Sequence, residues 1–161
     1  MTLKTNKIFP RDGKQSGAYG GIIQLVRATS VTQYSITSNS DTTIISATIT
    51  PRSASNVIFV QFNCPTARTL TTGNTRSRLT HKLLRGSTEV ESWHECPQWR
   101  GANFNSSNVE ITIPIFLDFL DTPATTSATT YNWQWASHDS ETWNQGGGST
   151  PYSLTLTEFS G

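Results

Sequence analysis

The chain has 161 residues, a mass of 17.7 kDa and a formal net charge of +1, with only 14% of its residues charged. That length suits one domain with a sizeable core, and the charge balance lacks the clustered Lys and Arg of a nucleic-acid binder. Hydroxyls replace charge as the wetting groups: 26 Thr and 19 Ser are present, and β-branched Thr favours a pleated, half-buried surface over a helix.

Residues 1–19 have no hydrophobic period and contain Pro10, Gly13 and Gly17, together with Lys4, Lys7, Arg11 and Lys14. No apolar run there is long enough for the core of an export signal, so the expectation is synthesis in a cytosol without secretion. The stretch reads as an arm ahead of a Gly20-Gly21 hinge, with Lys4, Lys7, Ile8, Phe9 and Arg11 as its assembly contacts. A free arm has little to order it, so its holder is expected to lie outside the domain.

From Ile22 onward, short apolar stretches alternate with turn chemistry, and residues 20–161 read as the body. Strands are predicted over 22–29, 32–38 and 42–50, the last stopped by Pro51. Residues 56–62 are apolar in both parities, Val57 and Phe59 against Ile58, Val60 and Phe62, as in a central strand covered on both faces. Strands at 78–84 and 88–93 flank Arg85-Gly86-Ser87, which predicts a tight hairpin. The most regular strand is 109–119, with Val109, Ile111, Ile113, Ile115, Leu117 and Phe119 in one parity. Its Pro114 cannot donate to a ladder, which predicts a sheet edge or a bulge there. The off-parity Phe116, with Leu120, puts apolar side chains on the second face, so these two are the candidate subunit contacts.

Residues 129–136 alternate again, with Tyr131, Trp133 and Trp135 on the core side; Gly146 to Gly148 form a loop, and 152–159 is a last strand. No segment shows a helical period, and the apolar run 111–120 is too short to cross a membrane. Eight or nine short strands in one domain predict an all-β protein, an antiparallel β-sandwich or jelly roll with an extended N-terminal arm.

Residues with chemistry are sparse. Cys64 and Cys96 each precede a proline and read as unpaired thiols in extended chain. His81 lies mid-strand and reads as a hydrogen-bonded sheet residue. In His94-Glu95-Cys96 only the first and third side chains share a face, and zinc needs two further ligands. His138-Asp139 has no nucleophile-elbow partner, and no phosphate-binding loop is present. No catalytic residue, metal or cofactor is therefore expected. Of the five tryptophans, Trp93, Trp99 and Trp143 are the candidates for a glycan or partner contact, because Trp beside amides and hydroxyls suits both.

Several stretches, taken in order, resemble a family of small structural proteins from tailed bacteriophages. They are Leu3 to Ile8 in the arm, Gly20-Gly21-Ile22-Ile23-Gln24-Leu25-Val26, and Thr50-Pro51-Arg52-Ser53-Ala54-Ser55-Asn56-Val57-Ile58. Lys82-Leu83-Leu84-Arg85-Gly86-Ser87-Thr88-Glu89-Val90, Phe119-Leu120-Asp121-Thr122-Pro123 running into Thr129-Thr130-Tyr131, and the terminal Leu154-Thr155-Leu156-Thr157-Glu158 complete the set. The resemblance implies a non-enzymatic virion component of tail fibres or related appendages, trimeric through a jelly-roll body. Capsid decoration of the phage head is the alternative, and a carbohydrate-binding module a further one. The implied partners are other virion proteins and a host-surface glycan, with no nucleic acid and no membrane insertion.

Overall fold

The structure, a computed structural model, describes residues 21–71, 76–96, 98–100, 109–138, 142–145 and 150–161. These residues form strands and connecting turns without a helix: β1 (Ile22–Ser30), β2 (Tyr34–Ile36), β3 (Thr42–Ile49), β4 (Val57–Thr71), β5 (Arg76–Arg85), β6 (Thr88–Trp93), β7 (Gln98–Arg100), β8 (Val109–Asp121), β9 (Thr129–Ser137), β10 (Trp143–Gln145) and β11 (Tyr152–Phe159). The N-terminal arm lies outside the described residues, and so does the Gly146 to Gly148 loop.

Every strand pairing is antiparallel. The first sheet runs β1-β11-β4, with β8 on the far side of β4 and the short β10-β2 pair alongside the second half of β4. The second runs β3-β9-β5-β6, with β7 beside the start of β5. The long strands thus form two four-stranded layers, β1-β11-β4-β8 and β3-β9-β5-β6. Taken in order, these eight long strands change layer at every step except the β5–β6 hairpin. That order is a jelly roll.

Local sequence explains the irregular points. Cys64 pairs with Ile115 and Ala67 with Ile113, so Pro65 and Thr66 together stand opposite Pro114. Two residues against one is a bulge, and it places both prolines where the ladder is already broken. β8 is also an edge strand, so Pro114 meets both conditions expected of it. At the hairpin, Arg85 pairs with Thr88, leaving Gly86-Ser87 as a two-residue turn. Gly86 alone has a positive φ, 62°, which suits the II′ turn with Gly at its first position.

The core lies between the layers. β9 contributes Tyr131, Trp133 and Trp135, and β4 contributes Ile58, Val60, Phe62 and Cys64, all fully or almost fully buried. Trp133 is sandwiched, with Phe62 stacked at 4.7 Å and Trp93 at 5.0 Å between ring centroids. Its indole N–H donates to Nδ1 of buried His81 at 3.0 Å, so His81 is the hydrogen-bonded sheet residue expected of it. Cys64 and Cys96 form no disulfide.

One end of the core is closed by a single register row, Gln24, Glu158, Ile58 and Asp121, of which all but Ile58 are polar. Glu158 accepts from the Gln24 amide, the Asn56 amide and the Arg52 backbone N–H, tying down the turn between β3 and β4. Asp121 accepts two bonds from Arg85, at 2.9 and 3.0 Å, and one from the Tyr131 hydroxyl, pinning the two layers together.

Two expectations need correction. Residues 32–38 were expected to be a strand, but only Tyr34–Ile36 pairs, because β2 has just the three-residue β10 as a neighbour. Trp143, expected to be a contact residue beside amides and hydroxyls, lies instead on β10, which inserts between β2 and β4.

Candidate functional site

Because strand side chains alternate between faces, the inward set of the first sheet (Val26, Leu156, Val60, Phe119) leaves a matching outward set. Register aligns that set in rows across the strands. The first row holds Ile22, Phe159 and Val57. The second holds Leu25, Thr157, Phe59 and Leu120. The third holds Arg27, Thr155, Gln61 and Asp118, and the fourth Thr29, Ser153, Asn63 and Phe116.

The face is therefore divided. Apart from the buried Thr157, its first two rows form an apolar band in which Ile22 is 66% exposed and Leu25 and Leu120 are each 57% exposed. Val57, Phe59 and Phe159 fill the spaces between them and are only half-buried. The last two rows are polar and surround a depression of about 280 Å³ lined by Arg27, Gln61, Asn63, Asp118, Ser153 and Thr155. Phe116, 63% exposed, stands at its rim, and Arg27 donates to the Ser153 hydroxyl at 3.3 Å.

Phe116 and Leu120, the candidate subunit contacts, both point outward from β8 in this face. The structure separates them by role: Leu120 completes the apolar band, while Phe116 borders the polar depression. Leu25, Val57 and Phe59 were not singled out as contacts. The signal was the two-parity apolarity of 56–62, which was read as a strand already covered on both sides. Among the described residues only the inner side is covered.

The tryptophan candidates fare differently. Trp143 is fully buried, because β10 pairs with both β2 and β4 and turns the indole into the core, so it offers no surface for a sugar. Trp93 is half-buried and stacked on Trp133, a core role that leaves little free ring. Trp99 lies on β7 opposite Ser77, and its side chain is outside the described residues. Lys4, Lys7, Ile8, Phe9 and Arg11 also lie outside them.

Nothing in the described residues assembles into reactive machinery. The carboxylates of Glu158 and Asp121 share a register row with Ile58 between them, roughly 10 Å apart at the backbone, as two strand spacings require. That spacing invites comparison with an acid–base pair. Both groups, however, are buried and already hold several donors each, and the fully buried Ile58 fills the space between them. Burial opposes ionisation of Glu158, but the Asn56 and Gln24 amides and the backbone N–H groups of Arg52 and Ser53 outweigh it and hold its carboxyl below the ordinary value. Burial drives the His81 pKa down to about 3, against a weaker opposite pull from the Cys96 backbone, so its imidazole stays neutral. Tyr131 is pushed above the ordinary phenol range by burial first and by Asp121 second. Among the described residues no three His, Cys, Asp or Glu gather as a metal site would need, and no helix is long and apolar enough to cross a membrane.

No family model matches the chain, and no curated protein matches it. Chains of solved structures do. The infectious bursal disease virus VP2 subviral particle aligns with a TM-score of 0.42 at 13% identity, over 99% of this chain and 38% of that one. The Gx strain of the same virus aligns with a TM-score of 0.38 at 12% identity, over 97% and 42%. The T=1 particles derived from the virus align with a TM-score of 0.34 at 13% identity, over 98% and 40%. The chain thus spans about two-fifths of the length of these proteins. Likeness at this level carries no functional inference, and the jelly-roll assignment rests on the strand order.

Proposed function

We propose that the chain is a non-enzymatic structural subunit of a bacteriophage virion, part of a tail fibre or related appendage. It is made in the host cytoplasm and built into the particle beside other virion proteins, as a homotrimer. The observation that carries this reading is the apolar band on the outer face of the first sheet. A monomeric body has no use for Ile22, Leu25 and Leu120 in water, whereas an assembled subunit buries them. The resemblance of the arm and turn segments to tailed-phage structural proteins supports the particle in question. The test is antibody labelling of gradient-purified particles viewed by electron microscopy. Label on the tail is expected. Label on the head would make the chain a capsid decoration protein instead, and unlabelled particles would overturn the virion reading.

The depression beside Phe116 favours a second, compatible role in adhesion to a host-surface glycan. An exposed aromatic ring next to a guanidinium, two amides and a carboxylate matches what a sugar ring with its hydroxyls requires. Glycan-array binding lost in Phe116→Ala is the expected result, and an array without any signal would remove this role.

A further inference from the structure

We propose that the apolar band is covered by the N-terminal segment, residues 3–19, of a neighbouring copy, so that subunits are joined by exchanged arms. This rests on the reading of the chain as an assembly subunit and specifies how that assembly is made.

The band spans three inter-strand steps by one two-residue step, about 14 Å by 7 Å between backbone positions. A subunit docking face-on buries about 800 Å² per partner, and on this sheet it would also bury Arg27 and Asp118 in the adjoining row. The band by itself is too narrow for that. It matches one extended peptide lying across the strands, since five residues at about 3.3 Å each cross 14 Å.

The N-terminal segment can supply such a peptide. The segment ahead of β1 contains Leu3, Ile8 and Phe9 among polar residues, and Phe9 precedes Pro10, which biases Phe9 toward extended backbone. Its length is ample for the crossing.

The Gly21 carbonyl accepts from the Ser160 N–H at 3.2 Å, so the backbone at Gly21 is still in line with β1 beside the chain's last strand. Ile22, the next residue, already belongs to the first row of the band. To cover its own band the segment would have to reverse its direction, whether at Gly20-Gly21 or further back at Gly13 or Gly17. Continuing in line, it leaves its own sheet behind and is free for the band of a neighbour. Passed round a closed ring, such a contact is head-to-tail and links every copy to the next.

The test uses the full-length chain with a photo-crosslinking residue at position 120, prepared as a mixture of isotopically heavy and light copies. The expected result is crosslinks from position 120 to residues 3–19 that join heavy to light chains. A full-length Phe9→Asp variant is expected to keep the wild-type circular dichroism while its molar mass by light scattering drops about threefold, from trimer to monomer. Crosslinks confined to one label would show the segment covering its own band, and crosslinks to the body of a second copy would show a face-on dimer. Either outcome overturns the proposal, as does an unchanged mass for Phe9→Asp. If particles carry the chain but these crosslinks fail, only the arm exchange is wrong. If the arms exchange but particles lack the chain, the virion reading is wrong instead.

Discussion

Replacing Glu158 by Gln probes the polar row that closes one end of the core. The carboxylate is fully buried and takes the Gln24 amide on one oxygen, with the Arg52 N–H and the Asn56 amide on the other. A glutamine keeps one acceptor oxygen, which can still serve Arg52 and Asn56. Its NH₂ then meets the Gln24 donor head-on. Gln24 cannot simply turn round, because the same nitrogen also donates to the Thr50 carbonyl at 2.7 Å. The variant therefore loses one charge-assisted bond outright and weakens two more. With bonds to a charged group contributing about 1.5–3 kcal/mol each, the expected loss is about 2–3 kcal/mol at pH 7. The sign with pH follows from the direction of the shift. The folded carboxyl sits below its ordinary 4.5, so its stabilisation is complete above that value and disappears as pH falls through the lower folded value. Urea denaturation of both proteins at neutral pH and at successively lower pH measures this. The gap should be widest at neutral pH and shrink in acid. A gap under about 0.5 kcal/mol at pH 7, or one that stays constant into acid, would refute the assignment of Glu158 as an ionised, donor-saturated staple.

Three further outcomes are expected. Tyr131→Phe removes the hydroxyl that donates to buried Asp121 and should cost about 1.5–3 kcal/mol in chemical denaturation, with an unchanged midpoint counting against the inter-layer pin. His81 should show no titration in NMR between neutral pH and about 4. Because the unfolded chain takes up that proton near 6.5 and the folded one only near 3, His81 also erodes stability as pH falls across that window; a midpoint close to 6.5 would contradict its burial. Trp143→Ala should destabilise the body by about 3–5 kcal/mol as a core deletion, and a fully stable variant with altered glycan binding would return Trp143 to the surface.

What could be read from the sequence followed the strength of local alternation. β8 and β9 were legible because long single-parity runs of Ile, Leu and Trp leave one face to the core, and Pro114 marked its own bulge. β7 and β10 were not, since three residues carry no period and exist as strands only through pairing with β5, β4 and β2. The same gap misplaced Trp143: its neighbours in sequence are polar, and its place is set by pairing with Thr69 and Ile36, far away along the chain. Glu158 stayed hidden for a related reason. It shares the parity of Leu154 and Leu156, but the donors that make an inward acid tolerable come from the β3–β4 turn and from β1. The outer band was half legible. Val57 and Phe59 announced a second apolar face, and Phe116 and Leu120 marked its neighbouring strand. Register was needed to join them to Leu25 and Ile22 and to show that the described part of a single copy leaves them in water.

The most direct test of the account is incorporation into particles of the wild-type chain and of Leu120→Glu, each tagged and produced in infected cells. The account predicts that the wild-type chain co-sediments with purified particles in a fixed copy number, while the folded Leu120→Glu chain remains in the soluble fraction. A wild-type chain that never sediments with particles, or a Leu120→Glu chain that incorporates as well as wild type, would contradict it.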